Sequence, residues 1–154
     1  MLAVDLGGKA VAVTGGFGSL GAAVGRVLGE AGAKVALLDR APAAKAPAVT
    51  GAIAIGDVDL ASADAASDAM KTVVAKLGRL DAVVNVAGGF RWEKIEDGSI
   101  DTWDLLYQMN LRTAVNATRA ALPHLPADGG RVVSIGAGAA AKAGLGMGAY
   151  AASK

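Results

Sequence analysis

The chain has 154 residues, a formal net charge of +1, 53% hydrophobic and 19% charged residues, 22 glycines, one histidine and no cysteine. That excludes disulfides and thiolate catalysis, leaves no ordinary donor set for a transition metal, and shows no basic stripe of the kind nucleic acid requires. The uncharged runs are too short and too glycine-rich to span a bilayer, so no membrane partner is expected.

Residues 1–9 lack the basic and apolar regions of a secretory signal, and a cytoplasmic protein is expected. Residues 10–14 are a short apolar, β-favouring run that stops at a glycine cluster. Residues 19–31 then carry Leu20, Ala23, Val24, Val27 and Leu28 at helical spacing, with Gly32 as the stop. A second strand is predicted at 34–39, and the two prolines of 41–50 predict an exposed connection. A third strand follows at 52–56. Ser62 is the predicted N-cap of a helix running to Leu77, with Ala66, Met70, Val73 and Leu77 inward and Gly78 as its stop.

The fourth strand is predicted at 81–86, a charged loop at 91–98, a long helix at 101–122 and a fifth strand at 131–135. A Gly/Ala loop then leads into a helical turn carrying Tyr150. Strands alternating with helices predict an α/β fold, a doubly wound parallel sheet of Rossmann type, in a single domain over 1–154.

Gly16, Gly18 and Gly21 satisfy G-x-G-x-x-G between the first strand and its helix, the setting in which that motif receives a pyrophosphate. Asp39 ends the second strand eighteen residues after Gly21, where a carboxylate accepts hydrogen bonds from a ribose diol and repels a 2′-phosphate. Arg40 beside it could instead pair with a 2′-phosphate. NAD(H) is therefore expected over NADP(H). On the long helix, Trp103, Leu106, Asn110, Ala114 and Ala117 share one face expected to pack on the sheet. A buried amide without partners costs about 1–3 kcal/mol, so Asn110 is expected in a network. Tyr150 and Lys154 lie one turn apart on a helix face, where the ammonium favours the phenolate and draws a tyrosine pKa of about 10 toward neutrality.

In this order, the motifs resemble those of the short-chain dehydrogenase/reductase family across essentially the whole chain. Thr14-Gly15-x-x-Gly18-x-x-Gly21 is similar to the family's glycine signature in the spacing of its extended and atypical members. The cofactor-binding turn then comprises Gly15, Phe17, Gly18, Ser19, Leu20 and Gly21. Asp57 and Val58 resemble the pair that holds adenine. Asn85-Val86-Ala87-Gly88 is similar to the N-x-A-G motif, whose Asn braces the sheet while the Ala87-Gly88 backbone passes the cofactor. Asn110 falls where the family keeps a helix Asn that orders a water linked to the lysine.

The resemblance implies an NAD(H)-dependent oxidoreductase passing hydride between nicotinamide C4 and a substrate carbon. Tyr150 would exchange the proton, Lys154 would lower its pKa and grip the nicotinamide ribose, and Asn110 would support the relay. It also implies a small carbonyl, alcohol or quinonoid substrate, and a homodimer or homotetramer formed through the long helix and the Tyr/Lys helix.

One position departs from the family. Its usual serine, thirteen residues before the tyrosine, is Ala137 here. Ser134 is expected on the opposite face and bonded locally, a poor stand-in. Losing a preorganised donor costs about 10²–10³ in rate, which points to a substrate needing little polarisation. Gly15-Gly16-x-Gly18-x-Leu20-Gly21, Val86-Ala87-Gly88-Gly89 and Gly146-Met147 are similar to dihydropteridine reductases, which also lack the serine. A dinucleotide-binding module without turnover is the alternative from another class. The family continues past the Tyr/Lys motif with the rest of that helix, two strands and the substrate loop, so the chain reads as cut there. The Lys154 ammonium is accordingly expected to be unheld, and strand five to be an uncovered edge.

Overall fold

Continuous apolar runs become the central strands because helices cover both faces of them. β1 (Ala10–Thr14) is buried at every position, and β2 (Lys34–Leu38) at all but its first. The structure, a computed structural model, describes residues 4–154; the first three residues of the 1–9 segment and of the 1–154 domain lie outside the described residues. Between those strands runs α1 (Ser19–Glu30), and beyond β2 a short 3₁₀ turn interrupts the exposed connection before β3 (Ile53–Ile55).

The rest of the chain adds α2 (Ala63–Leu77), β4 (Ala82–Asn85), α3 (Ile100–Leu106), α4 (Thr113–Ala121), β5 (Arg131–Ser134) and α5 (Gly148–Ser153). All strand pairs are parallel, in the order β3-β2-β1-β4-β5. The winding reverses between β1 and β4. In such sheets ligands bind at the carboxyl ends of the strands, at that reversal.

One face packs Val11, Val13, Val35 and Leu37 under Val24 and Leu28 of α1. The other packs Ala12, Leu38 and Val83 under Ala66, Met70 and Val73 of α2 and Ala117 and Ala121 of α4. As expected, the Ser62 hydroxyl caps α2 by accepting the Ala65 N–H at 3.3 Å, and Gly78 ends it in the left-handed region at φ 84°.

The long helix differs from its prediction. Tyr107–Arg112 is a π-helical segment between α3 and α4. A π turn is wider than an α turn and rotates the succeeding residues about the helix axis. The straight face predicted from Trp103 to Ala117 is therefore broken: Leu106, Asn110 and Ala117 are buried, Trp103 and Ala114 only half-buried, and Thr102 is buried instead. At the end of the strand order all four residues of β5 are exposed among the described residues, Val132 and Val133 included. Among the described residues no helix is long and apolar enough to cross a membrane.

Candidate active site

Beyond β1 the chain turns on Gly15 at φ 62°, so near the loop after β4 that a Cβ there would stand 2.8 Å from both the Cα and the N of Ala87. The Thr14 hydroxyl oxygen accepts the N–H groups of Val86 and Ala87, each at 3.1 Å. Gly21 packs on the Gly15 carbonyl, where a Cβ would collide. α1 starts with no side-chain cap and no acidic residue in its first turn. By contrast α2 has Ser62 and Asp64 there, and α3 has Ser99 and Asp101. Gly18, Ser19 and Leu20 are exposed at this uncapped, positive helix end, which is open to an anion.

At the end of β2, Asp39 is half-buried and takes one N–H on each carboxylate oxygen, from Phe17 on Oδ2 and from Ala41 on Oδ1, both at 3.0 Å. It thereby fastens the glycine turn to β2. Arg40 beside it is exposed and forms no ion pair among the described residues. Beyond β3, exposed Asp57 sits in the left-handed region at φ 59°, with its N–H donating to the Ala41 carbonyl at 3.1 Å. The N–H of buried Val58 donates to the Asp39 carbonyl at 3.0 Å. Asp39, Arg40, Asp57 and Val58 thus gather beside the glycine turn.

The second group lies at the ends of β4 and β5. Buried Asn85 donates through Nδ2 to Thr118 Oγ1 at 3.0 Å and Ser134 Oγ at 3.3 Å, bracing β4 against α4 and β5. Its Oδ1 has no partner among the described residues. Ser134 is therefore not locally bonded as predicted: the parallel register sets it opposite Asn85, and a neighbouring strand supplies its partner.

Asn110, buried in the π turn, accepts the Gly89 N–H at 2.7 Å and donates to the Gly89 carbonyl at 3.0 Å and to Ser153 Oγ at 2.8 Å. The network expected around it exists. The backbone beside it is tight, since a Cβ on Gly88 would stand 2.5 Å from Asn110 Oδ1 and 3.2 Å from Lys154 Nζ. Lys154 is held, contrary to the expectation from its short helix: Nζ donates to the Ile135 carbonyl at 3.1 Å. Tertiary contact supplies what the helix alone cannot. Burial pushes the Lys154 ammonium below the ordinary lysine range. Tyr150 is half-buried, its ring meeting Phe90 edge-on with centroids 4.9 Å apart. Asn85, Asn110, Ser134, Ser153 and Lys154 help line a cavity of about 400 Å³ between α4, β5 and α5.

The family model for short chain dehydrogenases matches residues 9–154. The chain belongs to the short-chain dehydrogenase family.

A short chain dehydrogenase of Pseudocercospora fijiensis is 34% identical over 140 residues, covering 85% of this chain and 45% of that protein. The D-beta-hydroxybutyrate dehydrogenase of Rhizobium meliloti is 29% identical over 136 residues, covering 82% of this chain and 53% of that one. Among solved structures, a short chain dehydrogenase from Burkholderia cenocepacia in complex with NADP superposes with a TM-score of 0.88 at 39% identity, covering 97% of this chain and 64% of that one. The chain spans about half the length of the curated relatives it matches.

The two groups of residues meet a dinucleotide's demands. An uncapped helix end beside a glycine turn suits the pyrophosphate, Asp39 a ribose diol, and the Tyr150–Lys154 turn the far end of the site. Ala137 brings only a methyl to the position where short-chain dehydrogenases usually have serine.

Several residues of this site escape sequence reasoning. Thr14, readable only as the start of the glycine signature, also closes the reversal of the sheet; Ser153 completes the Asn110 network, and the Ile135 carbonyl holds Lys154. Asn116 Nδ2 reaches the Leu60 and Ala61 carbonyls, each at 3.0 Å, and so ties α4 to the loop that follows Val58. A polar residue at an inward helical position is the available signal for Asn116 and for Ser153. A main-chain carbonyl such as that of Ile135 leaves none.

Proposed function

We propose that this chain carries the cofactor-binding and proton-transferring part of an NAD(P)-dependent oxidoreductase acting on a small carbonyl/alcohol pair. The observation that carries the reading is Lys154: its ammonium is fixed by Ile135 beside Gly88, one helical turn from Tyr150, at the carboxyl end of the sheet. When bound, a nicotinamide dinucleotide supplies the hydride. The glycine turn and the α1 terminus hold its pyrophosphate, Asp57 and Val58 border its adenine, and the Ala87–Gly88 backbone lies along its path. Tyr150 exchanges the substrate proton at its phenolic oxygen. The Lys154 ammonium favours the phenolate and binds ribose hydroxyls, and Asn110 supports the relay.

NAD(H) is the proposed partner rather than NADP(H). The Asp39 carboxylate is fixed by Phe17 and Ala41 at the end of β2, and a fixed negative charge there repels a 2′-phosphate. A homo-oligomer is part of the proposal, supported by the exposed Leu111 and Val115 on the long helix.

The test is NADH binding by the full-length protein, followed by NADH-dependent reduction of aldehydes, diketones and quinonoid dihydropterin. Tyr150→Phe should retain NADH binding and lose roughly 10²–10⁴ in kcat. Full activity in that variant would end the reading. Ala137 favours a second one, a dinucleotide-binding module without turnover; it is the outcome if NADH binds and no substrate in that panel reacts.

A further inference from the structure

Ser153 has no part in that scheme, yet it is 6% exposed and its hydroxyl stands between two groups that do. It accepts an N–H from the Asn110 amide at 2.8 Å and donates to the Tyr150 main-chain carbonyl at 2.8 Å. A hydroxyl can do both at once. The remaining Asn110 contacts go to Gly89 on the loop after β4, so Ser153 is the link by which that amide reaches α5.

We infer that Ser153 is a positioning residue, locking the helix of Tyr150 and Lys154 to Asn110 and through it to the Gly89 backbone on the loop after β4. The inference rests on the proton-transfer role proposed for Tyr150.

A serine bonding back to the carbonyl three residues earlier is commonplace in helices. The bond from Asn110 is not, since it crosses between elements. α5 spans six residues and has no side-chain cap, so tertiary contacts must fix its rotation. Ser153 supplies one immediately before Lys154. Rotation about the α5 axis would draw Nζ away from Ile135 and Gly88 and turn the phenol of Tyr150 with it. Without the hydroxyl, the Asn110 N–H is also left buried and unpaired, which weakens its hold on Gly89.

The experiment compares Ser153→Ala and Ser153→Thr in the full-length protein with wild type, using NADH and whichever carbonyl compound wild type reduces. Ser153→Ala should lower kcat about tenfold, the equivalent of one lost buried hydrogen bond, while still binding NADH. The pH at half-maximal kcat should also move, because the Tyr150–Lys154 geometry sets it, and Ser153→Thr should restore both. Wild-type kcat and pH profile in Ser153→Ala would overturn the inference. So would a lower kcat with an unmoved pH profile and no rescue by threonine, which is the mark of a merely structural loss. If the alanine variant does not fold, Ser153→Cys keeps the volume with a far weaker hydrogen-bonding group and is judged by the same outcomes. Full activity of Tyr150→Phe would instead sink the underlying reading, and this inference with it.

Discussion

The Thr14 hydroxyl oxygen takes the Ala87 N–H, and the Val86 N–H with it, at 3.1 Å across the point where the sheet reverses its winding. Thr14 is 1% exposed, Val86 and Ala87 are half-buried, and this one acceptor serves both N–H groups. Thr14→Val keeps the shape and removes the acceptor. It should cost roughly 2 kcal/mol in urea unfolding, the scale for buried donors left unpaired. It should also weaken NADH binding, because the Ala87–Gly88 backbone is freed from β1. Thr14→Ser keeps the oxygen and should stay within about 1 kcal/mol of wild type. Equal stability of the valine and serine variants would show that the hydroxyl is dispensable.

In the proposed preference for NAD(H), Asp39 acts as a charge held in place by Phe17 and Ala41. Asp39→Asn preserves the acceptor for one N–H and removes the charge. The ratio of kcat/KM with NADPH to that with NADH should then rise at least about tenfold, roughly one unit of charge-dependent discrimination. An unchanged ratio would remove the Asp39 charge as the source of the preference.

Much of this fold is legible in the chain because its signals are local. The apolar runs of β1 and β2 need only a covered sheet, and Ser62 and Gly78 mark the ends of α2 by chemistry that acts within a turn. The glycine turn and Asp39 are readable for the same reason, since the spacing from strand to turn to strand end lies within one β-α-β unit. The π segment is not readable. Residues 107–112 contain no proline or glycine to announce it, and the bond from Asn110 to Gly89 that accompanies it joins residues 21 positions apart. Ser134 escapes a local reading in the same way: its partner Asn85 is 49 positions away and becomes a neighbour only once β4 pairs with β5. The holding of Lys154 by Ile135 likewise depends on where β5 ends.

Gly88 tests how closely the loop after β4 approaches the proposed catalytic groups. An added Cβ would meet Asn110 Oδ1 at 2.5 Å, and that amide cannot swing aside, because Gly89 holds it through both N–H and carbonyl. Gly88→Ala should cost about 1–3 kcal/mol, the range for overpacking a tight site, and should lower kcat by displacing Asn110 or Lys154. Gly138→Ala meets open space and serves as the stability control. Matching melting temperatures for the two variants would mean that the Asn110 contact yields without cost.

Asp81 anchors the opposite end of the sheet and gives the protein a predictable acid limb. Its carboxylate accepts Arg79 Nη2 at 2.6 Å, Arg79 Nε at 2.7 Å and the Ala10 N–H at 2.9 Å, with Lys9 Nζ 3.6 Å away. The hydrogen bonds from Arg79, the Ala10 N–H and the two positive charges outweigh desolvation and hold its pKa below the ordinary aspartate value. In that window the unfolded chain binds more protons than the folded one, so stability rises with pH through it. The contribution is complete above the ordinary value of 3.8 and disappears as pH falls through the folded one. Asp81→Asn should therefore cost about 2 kcal/mol near neutrality and flatten the stability curve between about pH 5 and pH 2, as followed by urea unfolding at a series of pH values. An acid limb as steep in Asp81→Asn as in wild type would assign it to other carboxylates. Asp81 is the first to examine because its side chain is only 7% exposed and gathers three hydrogen bonds, although its half-exposed partner Arg79 leaves the pair partly screened by solvent.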